Sequence, residues 1–193
     1  MNCSVMITNN DSWGEQLPWF AIDGKGHIGS FKTYGDAAFP ASAFGLSWED
    51  SWAIDDFMSE SIPITGKALE SSTLSKYIDF LNPLQFTQNK SLAERRCAFF
   101  KFPKEIATRG IYVYKPSGPI EITRLLRKRI PTYCQIMCPE NPIHISQLPK
   151  HIREAIEPNR FDWIRFDECE LITIRDIARL NQQLGLPNPW DEK

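Results

Sequence analysis

Two short runs, WFAID (Trp19 to Asp23) and HIGSF (His27 to Phe31), carry the aromatic and β-branched enrichment of strands and are pinched around Asp23-Gly24-Lys25-Gly26. Glycines at 24 and 26 supply the positive-φ positions that a tight reversal needs, so the pattern predicts a β-hairpin. A phosphate-binding loop would need those glycines to open a helix, and the run after the turn has no helix signal. Beyond the AAFPASAFGL connector, SWEDSWAIDDFMSE predicts a helix with Ser47 as its cap and Asp50 three residues later. At 100° per residue Glu49, Asp56 and Glu60 fall on one acidic stripe, with Trp48 and Trp52 one turn apart beside it.

Further helices are predicted in SSTLSKYIDFLNP, where Leu74, Ile78 and Leu81 share a face, and in SLAERRCAFF, which opens on the Ser91 and Glu94 capping pair. KEIATRG reads as a separate short helical stretch stopped by Gly110. IYVY is a strand, SGP a turn and IEITRLL a partner strand, whereas Pro131 and CQIMCPENP interrupt regular structure. SQLPKHIREAI places Leu148, Ile152 and Ile156 at helical spacing, with Pro149 in the first turn. FDWIRF alternates as a strand, and ELITI is a strand yielding to a helix capped by Thr173 with Asp176, in which Ile177, Leu180 and Leu184 precede Gly185. Strands at both ends with helices between them predict an α+β fold, one domain over residues 1–193, whose mainly antiparallel sheet joins distant segments.

Composition adds little to that outline. The 193 residues are 42% hydrophobic and 24% charged, ordinary for a folded chain long enough to bury a core without staples. Nothing approaches a bilayer-spanning apolar run, and the opening MNCSVMITNND has no signal-peptide pattern. Five scattered cysteines, Cys3, Cys97, Cys134, Cys138 and Cys169, fit reduced thiols, so a cytoplasmic location is expected.

Charge changes the picture more, because the net −2 is unevenly spread. Residues 1–90 hold 5 basic against 11 acidic side chains, and residues 91–193 hold 17 against 13. Within the second half, Arg95, Arg96, Lys101, Lys104 and the RLLRKR run from Arg124 to Arg129 form a basic segment. A sequence pI near 6.0 and the lack of interleaved stacking aromatics make it a poor nucleic-acid footprint.

Catalytic signatures are missing: there is no G-x-S-x-G elbow, HExxH or P-loop, and His27, His144 and His151 sit in no nucleophile-base motif. Cys134 and Cys138 are spaced C-x3-C with His144 and His151 downstream. Tetrahedral zinc usually shows two compact ligand pairs, so two ordinary thiols are expected and no metal or other cofactor is assigned. The pairs Asp55-Asp56 and Glu49-Asp50 could serve acid-base or metal chemistry, but neighbours on a helix point about 100° apart and do not converge.

WFAIDGKGHIGSFKTYGDAAFP, and then RGIYVYKPSG, NPIHISQLPKHIREAI and FDWIRFDE, resemble a loose group of small, uncharacterised bacterial proteins, some encoded beside polymorphic toxins. Such neighbours commonly act as immunity proteins, and the likeness covers about half the chain. What the resemblance implies is a non-enzymatic protein that neutralises a cognate toxin by binding it. A charged face bearing aromatic anchors suits that task, and Glu49, Asp56, Glu60, Trp48 and Trp52 are the expected partner-binding residues. The alternatives are a small metal-dependent hydrolase and a nucleic-acid-binding regulator.

Overall fold

The computed structural model describes residues 18–32, 40–46, 48–74, 92–116 and 133–187; of Phe44, Gly45, Trp48 and residues 92–99 it describes the backbone alone. The Ser47 and Ser91 caps, most of the helix expected in SSTLSKYIDFLNP, and the IEITRLL and RLLRKR segments lie outside those residues.

The N-terminal runs form the expected hairpin. β1 (Pro18–Asp23) and β2 (Ile28–Lys32) pair antiparallel from Ile22 opposite Ile28 to Pro18 opposite Lys32. All six residues of β1 are buried, because the sheet is covered on both sides. Phe20 and Ile22 enter one hydrophobic cluster and Trp19 and Ala21 the other, as the two-residue period of a strand dictates.

Five more strands complete a mixed sheet: β3 (Ala68–Glu70), β4 (Tyr112–Pro116), β5 (Tyr133–Pro139), β6 (Arg160–Phe161) and β7 (Leu171–Ile172). Their order is β3-β5-β4-β2-β1-β6, with β7 also pairing with β5. Neighbours run antiparallel at β1–β2, β3–β5, β4–β5 and β5–β7, and parallel at β1–β6 and β2–β4. The architecture is therefore α+β, with a sheet that draws strands from both ends of the chain.

On one side lie α1 (Trp48–Asp56) with the π-helical turn Phe57–Ser61 that follows it, α2 (Leu92–Thr108) and α3 (Lys150–Ile156). They bury Ile54, Met58, Ile106, Ile152 and Ile156 against Phe20, Ile28 and Val113. On the other side α4 (Ile174–Gln183) contributes Ile177 and Leu180 to an aromatic cluster. There Phe31 stacks between Trp19 and Tyr114, with ring centroids 4.1 and 4.8 Å away, and Tyr133 meets it edge-on.

Three local expectations are corrected. CQIMCPENP does not break the sheet: it supplies most of β5, which pairs with three other strands, and Pro139 is tolerated because it stands at the strand's end. SLAERRCAFF and KEIATRG are one helix, continuous through Pro103, since burial of Phe100, Ile106 and Ala107 on both sides of the proline outweighs a missing N–H. FDWIRF is a strand only at Phe161, after which the chain turns. Its buried positions, Phe161, Ile164 and Phe166, are spaced three and then two, and do not alternate.

Candidate functional site

Geometry splits the Asp55-Asp56 pair of α1 as the helical period requires, while Glu49 and Asp50 are both exposed. Glu49, Asp56 and Glu60 are exposed, while Asp55 is 3% exposed and turned inward. Asp55 Oδ2 accepts a hydrogen bond from Lys32 Nζ at 3.0 Å, and that ammonium also lies 4.0 Å from the Phe102 ring centroid. Burial pushes the Asp55 carboxyl above its usual range against the pull of Lys32. Lys115, near enough to feel Asp55, is pushed down to about 8 by its own burial. This buried cluster ties α1 to β2 and leaves the acidic face outward.

None of the Glu49, Asp56 and Glu60 carboxylates forms an ion pair among the described residues. Trp52 is half-buried beside them, with Lys32 Nζ 5.5 Å from its ring, and Trp48 opens the helix. Arg109 closes the far end of this element, donating from Nη1 to the carbonyls of Glu60 and Ile62.

The cysteines and histidines do not gather as the spacing alternative would have them. Cys138 Sγ donates to Gln135 Oε1 at 3.0 Å, and burial pushes its thiol up to about 11, which keeps it protonated and a poor metal ligand. His144 caps the short 3-10 turn Ile145–Gln147, its Nδ1 accepting from the Ser146 N–H at 3.1 Å. His151 is exposed and stands edge-on to Phe57. The Cys134, Cys138, His144 and His151 set forms no ligand cluster among the described residues.

The β1–β2 turn does bring ligating groups together. Asp23 is fully buried, and its Oδ1 accepts from the Lys25 and His27 N–H groups at 2.9 and 2.8 Å. Its Oδ2 accepts from the Phe166 N–H at 2.8 Å, so one carboxylate fastens the hairpin turn to the loop after β6. The Gly24 N–H adds a bond to the Ile164 carbonyl at 2.8 Å, and a Cβ at Gly24 would lie 2.7 Å from the Asp162 carbonyl oxygen. Gly26, at φ +81°, fits under the His144 imidazole. Of the two glycines expected at positive φ only Gly26 adopts it; Gly24 is instead required by the close approach of the Asp162 carbonyl.

Over this turn the ligand atoms of Asp23, His27 and Asp167 lie within 4.8 Å of one another, the one such group among the described residues. His27 Nδ1 is 3.4 Å from Asp23 Oδ2, and Asp167 is held by Lys25 Nζ at 2.5 Å. Tyr112 packs 6.0 Å from the His27 ring, and burial with the nearby Asp167, Cys138 and Asp23 charges pushes its phenol upward, keeping it protonated. The sequence pattern puts Asp23 in the turn and His27 at the start of the strand that follows, and gives Asp167 no role, because 140 positions separate His27 from Asp167 and no local spacing links them.

No protein-family model, curated protein or solved structure matches this chain.

Proposed function

We propose that this chain is a protein-binding protein of the immunity type, which neutralises a cognate bacterial toxin by placing the acidic face of α1 against a basic surface of that partner. The observation that carries this reading is the arrangement of α1. Its inner side is anchored by Ile54, Asp55 and Met58 of the following turn, while Glu49, Asp56 and Glu60 remain exposed without an ion-pair partner among the described residues. Such carboxylates are barely desolvated in the free protein and become useful when a basic surface arrives, raising the encounter rate. Trp52 beside them supplies the aromatic area from which interface anchors are built. The resemblance to proteins encoded beside toxins points to the class of partner. Reduced thiols at Cys134, Cys138 and Cys169 suit a cytoplasmic setting, and no described helix is long and apolar enough to cross a membrane.

The test is co-expression with the product of the adjacent gene, followed by capture of either chain and kinetics of the complex. A stoichiometric complex that rescues growth is expected. Combining E49Q with D56K and E60K should slow association by about tenfold at low salt and flatten its salt dependence. Unchanged kinetics in that variant would overturn the α1 surface. A folded, toxic neighbour that forms no complex would overturn the immunity reading itself.

A further inference from the structure

We propose that Asp23, His27 and Asp167 form a binding site for a divalent cation of the zinc class, which clasps the β1–β2 turn to the loop after β6.

The first support is metric. Bonds of about 2.1 Å to a tetrahedral zinc ion set neighbouring ligand atoms about 3.4 Å apart, and Asp23 Oδ2 and His27 Nδ1 already stand 3.4 Å apart. Asp167 completes a three-residue set whose ligand atoms all fall within 4.8 Å. It is the most exposed of the three, so a side-chain rotation of roughly 1 Å brings it into bonding range. Water would take the fourth position, as in open zinc sites.

The second support is the state of the His27 ring. His27 Nδ1 has no solvent contact and no hydrogen-bond partner, although a buried polar atom normally finds one. It faces the buried Asp23 carboxylate at 3.4 Å, a spacing that a cation bound between the two atoms would fill. The 3.4 Å contact with Asp23 Oδ2 does not satisfy hydrogen-bond geometry and is an ion pair only when the imidazole is protonated.

The surroundings are those of a supported ligand set. Asp23 cannot swing away, because the N–H groups of Lys25, His27 and Phe166 hold both of its oxygens. Lys25 Nζ meanwhile occupies Asp167 Oδ2, an internal cation that a doubly charged ion would displace. That pair is about one-third exposed, where an ion pair contributes little, so displacing it costs little. One imidazole with two carboxylates selects a borderline ion over Mg²⁺ or Ca²⁺, which require six or more oxygen ligands. The site lies at the opposite end of the hairpin from Lys32 and its bond to Asp55, so its fate is separable from that of the α1 face.

Calorimetric titration of the reduced full chain with ZnCl2, beside thermal unfolding with and without the ion, tests this. One equivalent is expected to bind, with unfolding raised by about 5 °C at a hundredfold excess over Kd, while MgCl2 leaves both readings unchanged. H27Q and D167N should each weaken binding at least tenfold, and K25M, which removes the competing ammonium, should tighten it. D167N alters an exposed side chain and keeps the fold measurable even if H27Q perturbs the turn. Absence of stoichiometric zinc binding, or binding that survives D167N and H27Q undiminished, would overturn the proposal.

Discussion

Gly26 shows how much one position can carry. Its φ of +81° lies in the left-handed region, and a Cβ there would sit 2.2 Å from His144 Nε2. Two costs are therefore stacked: the conformational one, about 1–2 kcal/mol for a non-glycine residue, and displacement of an imidazole that caps the next turn. G26A should destabilise the protein by roughly 2–4 kcal/mol in urea unfolding. Adding H144A should recover the steric part and leave the conformational part, so a double-mutant cycle separates them. If G26A costs the same with and without His144, the ring is not what crowds the site. This glycine was legible in the sequence as a turn residue, but the histidine above it was not, because a strand bridge between His27 and His144 brings it there.

At the scale of elements, α4 follows its local signals, although the stretch before it reads equally as strand. The Thr173 hydroxyl accepts from the Asp176 N–H and the Asp176 carboxylate accepts from the Thr173 N–H at 2.8 Å, which is the capping box that the spacing implied. Asp176 Oδ1 also accepts from Trp163 Nε1 at 3.1 Å, so the cap fastens the helix to the loop after β6 as well. T173A should cost about 1 kcal/mol, measured as a lower denaturant midpoint with an unchanged m-value. A loss well below this would show that Asp176 holds the helix start without its partner. β5 lies at the other extreme. Pro139 and its cysteines read as an interruption, yet it is the strand that joins β3, β4 and β7, and pairing on both edges overrides its local propensity.

For the whole molecule, buried titratable groups set how stability changes with pH. Lys115 falls from 10.5 to about 8 on burial. Below pH 8 both states carry the proton, and the folded state bears the cost of a buried charge. Between about 8 and 10.5 the folded state releases that proton while the unfolded chain keeps it, so this lysine makes stability rise with pH, on the order of 3 kcal/mol across the window. Groups pushed the other way oppose it: the Cys138 thiol and the phenols of Tyr112, Tyr114 and Tyr133 keep protons that the unfolded chain loses, so their contributions fall as pH rises through about 9 and 10. K115M should be more stable than the parent at pH 7, and the difference should shrink steadily from pH 8 to 10.5. A difference independent of pH would mean that Lys115 carries no depressed titration.

Local physics determined what the sequence alone could state: the hairpin with its glycine turn, the Gly110 stop, the capped α4, and the division of Asp55 from Asp56 across α1. Each depends on contacts within about a turn of chain, where period, caps and left-handed residues act. The tertiary structure decided the rest. Parallel pairing of β1 with β6 and of β2 with β4 unites segments more than 80 residues apart. The carboxylate of Asp23 reaches across 143 positions to the Phe166 N–H. Neither has a local signal, because burial against a distant strand is the property of a packed sheet and not of any stretch of chain that enters it.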